Sequence, residues 1–330
     1  MPKTICFYHS PCNDGGSAAA ALRYRLAHLP EPRALELMPM GFGLSWEDPF
    51  NDTFLNRLDD FKEIVDEIYI VDISMSAGRH AQVIDKLRAA GRIGDTLPRT
   101  VCIDHHISAI DRLEEIESYC DDTMIEIGTG LSGATLVWLY CDQRLDAPQP
   151  MPLLLRYVAD QDLWEWRLPR SREINGALNI LAGEIDAMER EMLESIEDEK
   201  AWSDLRALQG ASIVSMIDSL VRRSYGRLLD VVGADGVHYR IVNGTDSSSE
   251  IGNELCVQSD HNPHVVAIIY AVQEDWSVKC SIRSVTGSKV TARDVAERYG
   301  GGGHDNAAGC RFADIDAMRK ALAEITGQEV

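Results

Sequence analysis

Apolar and polar positions along the chain fall into blocks of alternating period. Thr4–Tyr8 is a short apolar, β-prone run that ends at His9. Turn-prone Ser10-Pro11-Cys12-Asn13-Asp14-Gly15-Gly16 follows, then an Ala-rich helical stretch over Ala18–Ala27. Ile64–Val71 reads as a second strand ending at Asp72, with Ser76 placed to cap a helix from about Arg79 to Ala90. Thr100–Ile103 is a third, running into Asp104-His105-His106, and Ser132-Gly133-Ala134 opens a helix over Thr135–Tyr140. Strands alternating with helices predict an α/β fold with a mostly parallel, Rossmann-like sheet covered on both faces. Sheets of this kind take ligands outside the carboxyl ends of their strands, where His9, Asp72 and Asp104 all fall.

Beyond Trp166 the pattern changes. Glu184–Trp202 is a charged helical stretch whose Met188, Met192 and Leu193 read as a packing stripe, and Ile213–Leu229 is helical again. Three strands follow at His238–Val242, Val265–Ala271 and Trp276–Arg283, then a helix from Ala292 to about Arg298. A glycine-rich loop, Gly300–Gly309, precedes a final helix over Ile315–Ile325. The predicted organisation is a catalytic domain over 1–180, a helical connection over 181–225 and a smaller C-terminal α/β recognition domain over 226–330.

Composition narrows the partners. A chain of 330 residues has room for two domains, and 45% apolar with 26% charged residues is ordinary for a soluble protein. The N-terminus does not read as a signal peptide, and no apolar run approaches the ~18 residues of a membrane helix. The eight cysteines are widely spaced with no CxxC pair, which points to free thiols in a reducing cytoplasm rather than a zinc ribbon or disulfide framework. Long nucleic acid is held by Lys and Arg neutralising phosphates, and a net charge of -21 with no dense basic stripe argues against it. The charge suits a solvated surface combined with a small anionic substrate, its positive partners being metal ions and a few arginines.

The Asp104-His105-His106 triplet offers a carboxylate and two imidazoles at a strand end, a set that suits a divalent metal; a buried Asp holding a structural His would look the same. Four other motifs stand with it: His9 with Asp14-Gly15, Val71-Asp72, Asp160 within Ala159-Asp160-Gln161-Asp162-Leu163-Trp164, and Gly301-Gly302-Gly303-His304 followed by Ala307 and Gly309. Together and in this order they resemble the DHH phosphoesterase family, specifically members with a C-terminal DHHA1 domain, over essentially the whole chain. The resemblance implies hydrolysis of phosphoester or phosphoanhydride bonds with Mn²⁺ or a similar ion, on substrates from single-stranded DNA and short RNAs to pAp, cyclic dinucleotides and polyphosphate. It also implies roles. His9, Asp14, Asp72, Asp104, His105 and Asp160 become metal ligands, with Asp72 the bridge between two ions and Asp104 either ligating or fixing the imidazoles. His106 approaches the substrate phosphate, so His106, Asp104 and Asp72 form the catalytic set. Arg283, Gly301, Gly302, Gly303, His304 and Asn306 become substrate-binding residues.

The chemistry of the residues agrees with those roles. Two divalent ions roughly 3.5–4 Å apart clamp a phosphoryl group and make hydroxide available near neutral pH. Oxygen and imidazole ligands suit Mn²⁺, with Mg²⁺ or Co²⁺ as substitutes. The first motif departs from the family pattern, since many members carry two acidic residues after the histidine and here only Asp14 is acidic. Asn13 or water completes that metal sphere, or the metal binds weakly there. Cys12 reads as a packed thiol, with soft metal ligation as the other reading. Asp162 reads as a local backbone cap rather than a ligand. Ser132-Gly133 either directs helix amides toward the metals or caps its helix.

The expectation is therefore a metal-dependent phosphohydrolase with its active site in a cleft between domains. It acts on a short oligonucleotide or a small nucleotide phosphate such as pAp, binds no long duplex and no membrane, and is compatible with a homodimer. The alternatives are a short-chain polyphosphate hydrolase and a nucleotide-binding scaffold whose metal site has decayed.

Overall fold

The computed structural model describes residues 3–40, 57–58, 61–146, 148–244, 247–260 and 263–327, except for the side chain of His304. The chain divides into two units, Met1–Val214 and Ser215–Val330.

The first unit holds five parallel strands, β1 (Lys3–His9), β2 (Ala34–Met40), β3 (Val65–Val71), β4 (Arg99–Asp104) and β5 (Asp122–Ile125), in the order β2-β1-β3-β4-β5. Alternation along the strands sorts the core onto two faces. Cys6, Tyr8, Tyr69, Val71, Val101 and Ile103 pack beneath α1 (Asn13–Ala27) and a later helix, Gly133–Arg144. Ile5, Phe7, Ile68, Ile70 and Cys102 pack with Val83, Ile84 and Leu87 of α2 (Ala77–Ala89). Two short helices, α3 (Ile107–Ile110) and α4 (Leu113–Glu117), lead into β5. The helix over Gly133–Arg144 is α5, and α6 (Leu153–Asp162), α7 (Ser171–Leu178) and α8 (Ile185–Glu197) complete the layer. The parallel α/β fold predicted from the pattern is the one found.

The charged stretch after Glu184 is helical as expected but breaks at Asp198. Asp198 leaves the helical region at φ -149, and its carboxylate then accepts from Ala201 N at 2.9 Å, capping α9 (Glu199–Ser224). One 26-residue helix thus replaces the separate segment expected from Ile213, and Leu229 belongs to a strand.

The second unit is a mixed sheet of six strands. Its elements are β6 (Leu229–Val232), β7 (His238–Asn243), α10 (Ser248–Val257), β8 (Val265–Val272), β9 (Val278–Ser284), α11 (Ala292–Glu297), β10 (Gly302–His304), β11 (Ala307–Phe312) and α12 (Ile315–Thr326). The order is β10-β11-β9-β8-β7-β6, with only β7 and β8 parallel. The glycine-rich segment departs from the predicted loop. Gly302–His304 forms the first arm of a hairpin with β11, turning at Asp305-Asn306. Glycine is required because a Cβ at Gly301 would lie 2.1 Å from Gly309 O, and Gly303 adopts φ 140.

A candidate metal centre at the carboxyl edge of the parallel sheet

Parallel strands all end on one edge, so His9, Asp72 and Asp104, which close β1, β3 and β4, arrive there together. Strand order reverses at β1, between β2 on one side and β3 on the other, the crevice where such sheets take ligands. Asp72 turns out of β3 at φ 56 while its amide still donates to Ile103 O at 2.9 Å. This left-handed conformation is uncommon for a residue with a side chain and is most tolerated by Asp and Asn. It leaves the Asp72 carboxylate only 1% exposed, against Gly133, where a Cβ would come within 2.6 Å of it.

Two groups form around that carboxylate. His9, Asp72 and His106 bring ligand atoms within 4.8 Å of one another, and so do Asp14, His105 and Asp162. Asp72 joins them, with Oδ2 3.3 Å from His9 Nδ1 and Oδ1 3.2 Å from His105 Nε2. His105 Nε2 also lies 3.6 Å from Asp14 Oδ2 and 3.4 Å from Asp162 Oδ2. Asp104 stands in neither group. Its Oδ1 accepts from the His105 and His106 amides at 2.8 and 3.2 Å and pairs with His106 Nδ1 at 2.7 Å, so it fixes the imidazole.

Asp14 enters from the first turn of α1. Its carboxylate accepts from Ser132 Oγ at 2.6 Å, Gly133 N at 2.7 Å and Ala134 N at 3.1 Å. The N-terminal amides of α5 therefore hold Asp14 in place, where a direct anion site was one expectation. Asn13 does not make up the missing acidic ligand: its Oδ1 accepts from Gly183 N at 2.9 Å and its Nδ2 donates to Asn179 Oδ1 at 2.8 Å. Burial, aided by the carboxylates of Asp72, Asp162 and Asp14, pushes the Cys12 thiol well up, as befits a neutral packed group.

The structure brings Asp162 to the site and leaves Asp160 out, the reverse of the expectation. Both lie in the last turn of α6, where a separation of two residues rotates a side chain by roughly 200°, so the two cannot face the same way. Asp160 Oδ1 accepts from Arg167 N at 2.8 Å and Oδ2 from Leu168 N at 3.2 Å. Read as a strand, the segment would put both on one face; its helical continuation from Leu153 was the missed signal.

The electrostatics describe a place prepared for cations. Burial works to raise Asp72, but His105, His9 and His106 outweigh it and hold the carboxyl far below its ordinary range. Burial works against the His105 imidazolium, yet Asp72, Asp14 and Asp162 lift it to about 10; His106 is lifted to about 9 by Asp104 and Asp72 against the same opposition. Asp14 is raised by burial and then by Asp72 and Asp162, and Asp162 by burial and by Asp72. Asp72 Oδ1 and Asp104 Oδ2 are buried without a hydrogen-bond partner. Crowded carboxylates with orphaned oxygens, set among imidazoles at 3.2–3.9 Å, are the donor set that hard or borderline divalent ions satisfy.

In the second unit, Arg283 lies in β9 with its guanidinium donating to Ser249 Oγ at 2.7 Å and Ile282 O at 2.9 Å. Among the described residues it has no carboxylate within ion-pair distance, and burial lowers its pKa against the pull of Glu250. Gly252 admits it, since a Cβ there would sit 2.6 Å from Arg283 Cγ. Asn306, in the β10–β11 turn, gives its carbonyl to Ser284 N and its Nδ2 to Thr286 Oγ1. The Gly301 amide is taken by Ala296 O at 2.9 Å, and Gly302 and Gly303 lie in the hairpin ladder. Ser249, absent from the predicted set, carried no sequence signal beyond a serine run.

Residues 238–328 match the DHHA1 domain. Over 259 residues the chain is 25% identical to oligoribonuclease NrnB of Bacillus subtilis (strain 168), a similarity covering 76% of this chain and 60% of that relative, so the chain spans less than two thirds of its length. Among solved structures, a DHH domain described as a member of the s1p family of ribosomal proteins superposes with TM-score 0.64 at 14% identity, covering 98% of this chain and 86% of that one. Exonuclease RecJ bound to manganese superposes with TM-score 0.53 at 15% identity, covering 98% and 89%. At these identities the structures establish a common fold, in which RecJ binds manganese. Taken with the convergence of the motif residues on one sheet edge, these findings make the chain similar to DHH phosphoesterases that carry a C-terminal DHHA1 domain.

Proposed function

We propose that the chain is a divalent-metal-dependent phosphohydrolase whose substrates are short oligonucleotides or small nucleotide phosphates such as pAp. The observation that carries the reading is Asp72, whose two carboxylate oxygens face different histidines, His9 and His105, in two adjacent ligand groups. A carboxylate so placed is suited to bridge two ions. His9 would hold one side and Asp14, His105 and Asp162 the other, with Asp162 supplying the second acid that the first motif lacks. This argues against a decayed site.

Bound divalent ions would neutralise phosphate charge and make hydroxide available near neutral pH. The remaining work belongs to side chains. Asp104 holds His106 through Nδ1, so its Nε2 can hydrogen-bond a phosphate oxygen and deliver a proton toward the leaving oxygen. Arg283, half-buried and with no carboxylate within ion-pair distance among the described residues, is suited to a terminal phosphate, with Asn306 and the Gly301–Gly303 backbone beside it in the same unit. His304 is assigned to that set on motif grounds. The similarity to NrnB supports short RNA as the first substrate to try.

The test is a Mn²⁺-dependent assay comparing a 5′-labelled RNA dinucleotide, a long RNA, pAp and tripolyphosphate. We expect turnover of the dinucleotide or pAp. Preference for long RNA would defeat the charge argument, and no Mn²⁺-dependent turnover of any of the four would defeat the reading as a whole.

A further inference from the structure

Asp160, displaced from the metal groups, does something else. Its backbone carbonyl accepts from Glu165 N at 2.9 Å and Trp166 N at 3.3 Å, and its carboxylate takes Arg167 N and Leu168 N. Four successive amides thus converge on one buried residue, and the turn they fix carries two tryptophans. Trp164 and Trp166 both stand at positive φ, 57 and 53, a conformation that bulky side chains rarely adopt. Their rings meet edge to face, centroids 5.1 Å apart and planes at 80°. Both remain half-buried, and the cores of this unit are built without either indole. Trp138 and Trp202 are the contrast: both are buried in helices, with their ring N–H groups donating to Gln149 O and Glu191 Oε2.

A turn held against its backbone preference, displaying two partly exposed indoles outside the core, begins just after Asp162 of the metal groups. We propose that the Trp164–Trp166 pair is a stacking platform for a nucleobase of the substrate, with Asp160 its positioning residue. The inference rests on the phosphohydrolase reading above and adds to it what recognises the base. An indole face binds any base through its π-surface, which gives preference for nucleotides over inorganic chains without base sequence specificity.

The test compares KM, with Mn²⁺, for a 5′-phosphorylated RNA dinucleotide and for the same dinucleotide with abasic ribose in place of both nucleosides. The wild-type protein is expected to show a KM about tenfold lower for the base-containing substrate. That ratio should shrink toward one in Trp164→Leu and Trp166→Leu, which keep apolar bulk without a ring, and persist in the Trp→Phe variants, with circular dichroism confirming the fold of each. Equal KM values in the wild type, or an undiminished ratio in both Leu variants, would overturn the platform. If neither substrate is turned over, the phosphohydrolase reading fails instead. Quenching of tryptophan fluorescence by AMP but not by ribose 5-phosphate would then still support the platform, and equal quenching by both would sink it.

Discussion

The two sheets deliver their chemistry by different routes. In the parallel sheet His9, Asp72 and Asp104 stand where strands stop, and topology alone puts them on one edge. In the mixed sheet Arg283 stands inside a ladder, paired with Ala267 on one side and Ala307 on the other, so its placement depends on register. A slip of one residue would turn Arg283 to the opposite face, while a strand end is less exposed to such an error. The candidate metal ligands, which must bring several side chains within a few ångströms, sit on the topologically determined edge. The candidate phosphate contacts sit where adjustment of register, helix start and turn can alter what is bound.

The sharpest way to break this comparison is at Asp72. Asp72→Ala should lower Mn²⁺-dependent turnover on the order of 10²–10³-fold and reduce the Mn²⁺ stoichiometry read by calorimetry, with both ligand groups affected. Next come the two α6 aspartates, which should fail differently. Asp162→Ala is expected to weaken Mn²⁺ binding roughly 10–100-fold with little change in melting temperature. Asp160→Ala strips the Arg167 and Leu168 amides of their acceptor and should cost about 2 kcal/mol or more of stability. Equal loss of metal affinity in both would mean that the division of labour between them is misread.

A smaller effect is expected in the second unit. Arg283→Gln should raise KM for the dinucleotide about tenfold with kcat nearly unchanged, the pattern of a lost ground-state contact; a fall in kcat at constant KM would assign Arg283 to the reaction itself. The smallest effect is a pH dependence of the first unit. Burial holds the His80 imidazole down to about 4, where it lies 3.1 Å from Thr100 Oγ1 and stacks on Tyr119. Between pH 4 and the ordinary value of about 6.5, the unfolded chain takes up a proton that the folded chain refuses. Stability should therefore be complete above that window and fall as pH drops through it. The slope of melting temperature against pH over this range should be shallower in His80→Gln.

Much of this was readable in the chain because the signals were local. The β1 run ending at His9, the β3 run ending at Asp72 and the β4 run ending in the Asp-His-His triplet are contiguous patterns, and parallel topology turns three strand ends into one place. The glycine motif was visible too, but not that Gly302–His304 would pair as a strand, since that depends on partners in β11. The four-residue strand β5 carried a pattern too brief to separate from a loop, and β2, as long as β1, contains Pro39, a residue that demotes a strand reading. The break at Asp198 depended on a single capping side chain.

The sequence by itself determined the alternation of strands and helices, the ligand types available and the strand ends that present His9, Asp72 and Asp104, because apolar periodicity and parallel topology require only near neighbours. Tertiary structure decided which acids reach the histidines. Whether Asp160 or Asp162 faces the histidines follows from the rotation of α6, and whether Asn13 is available follows from a turn 166 residues away in the chain. Asp14 depends on the amides of α5 in the same way. Such choices are made by orientation across long sequence separations, where no local pattern records which of two similar side chains will find a partner first.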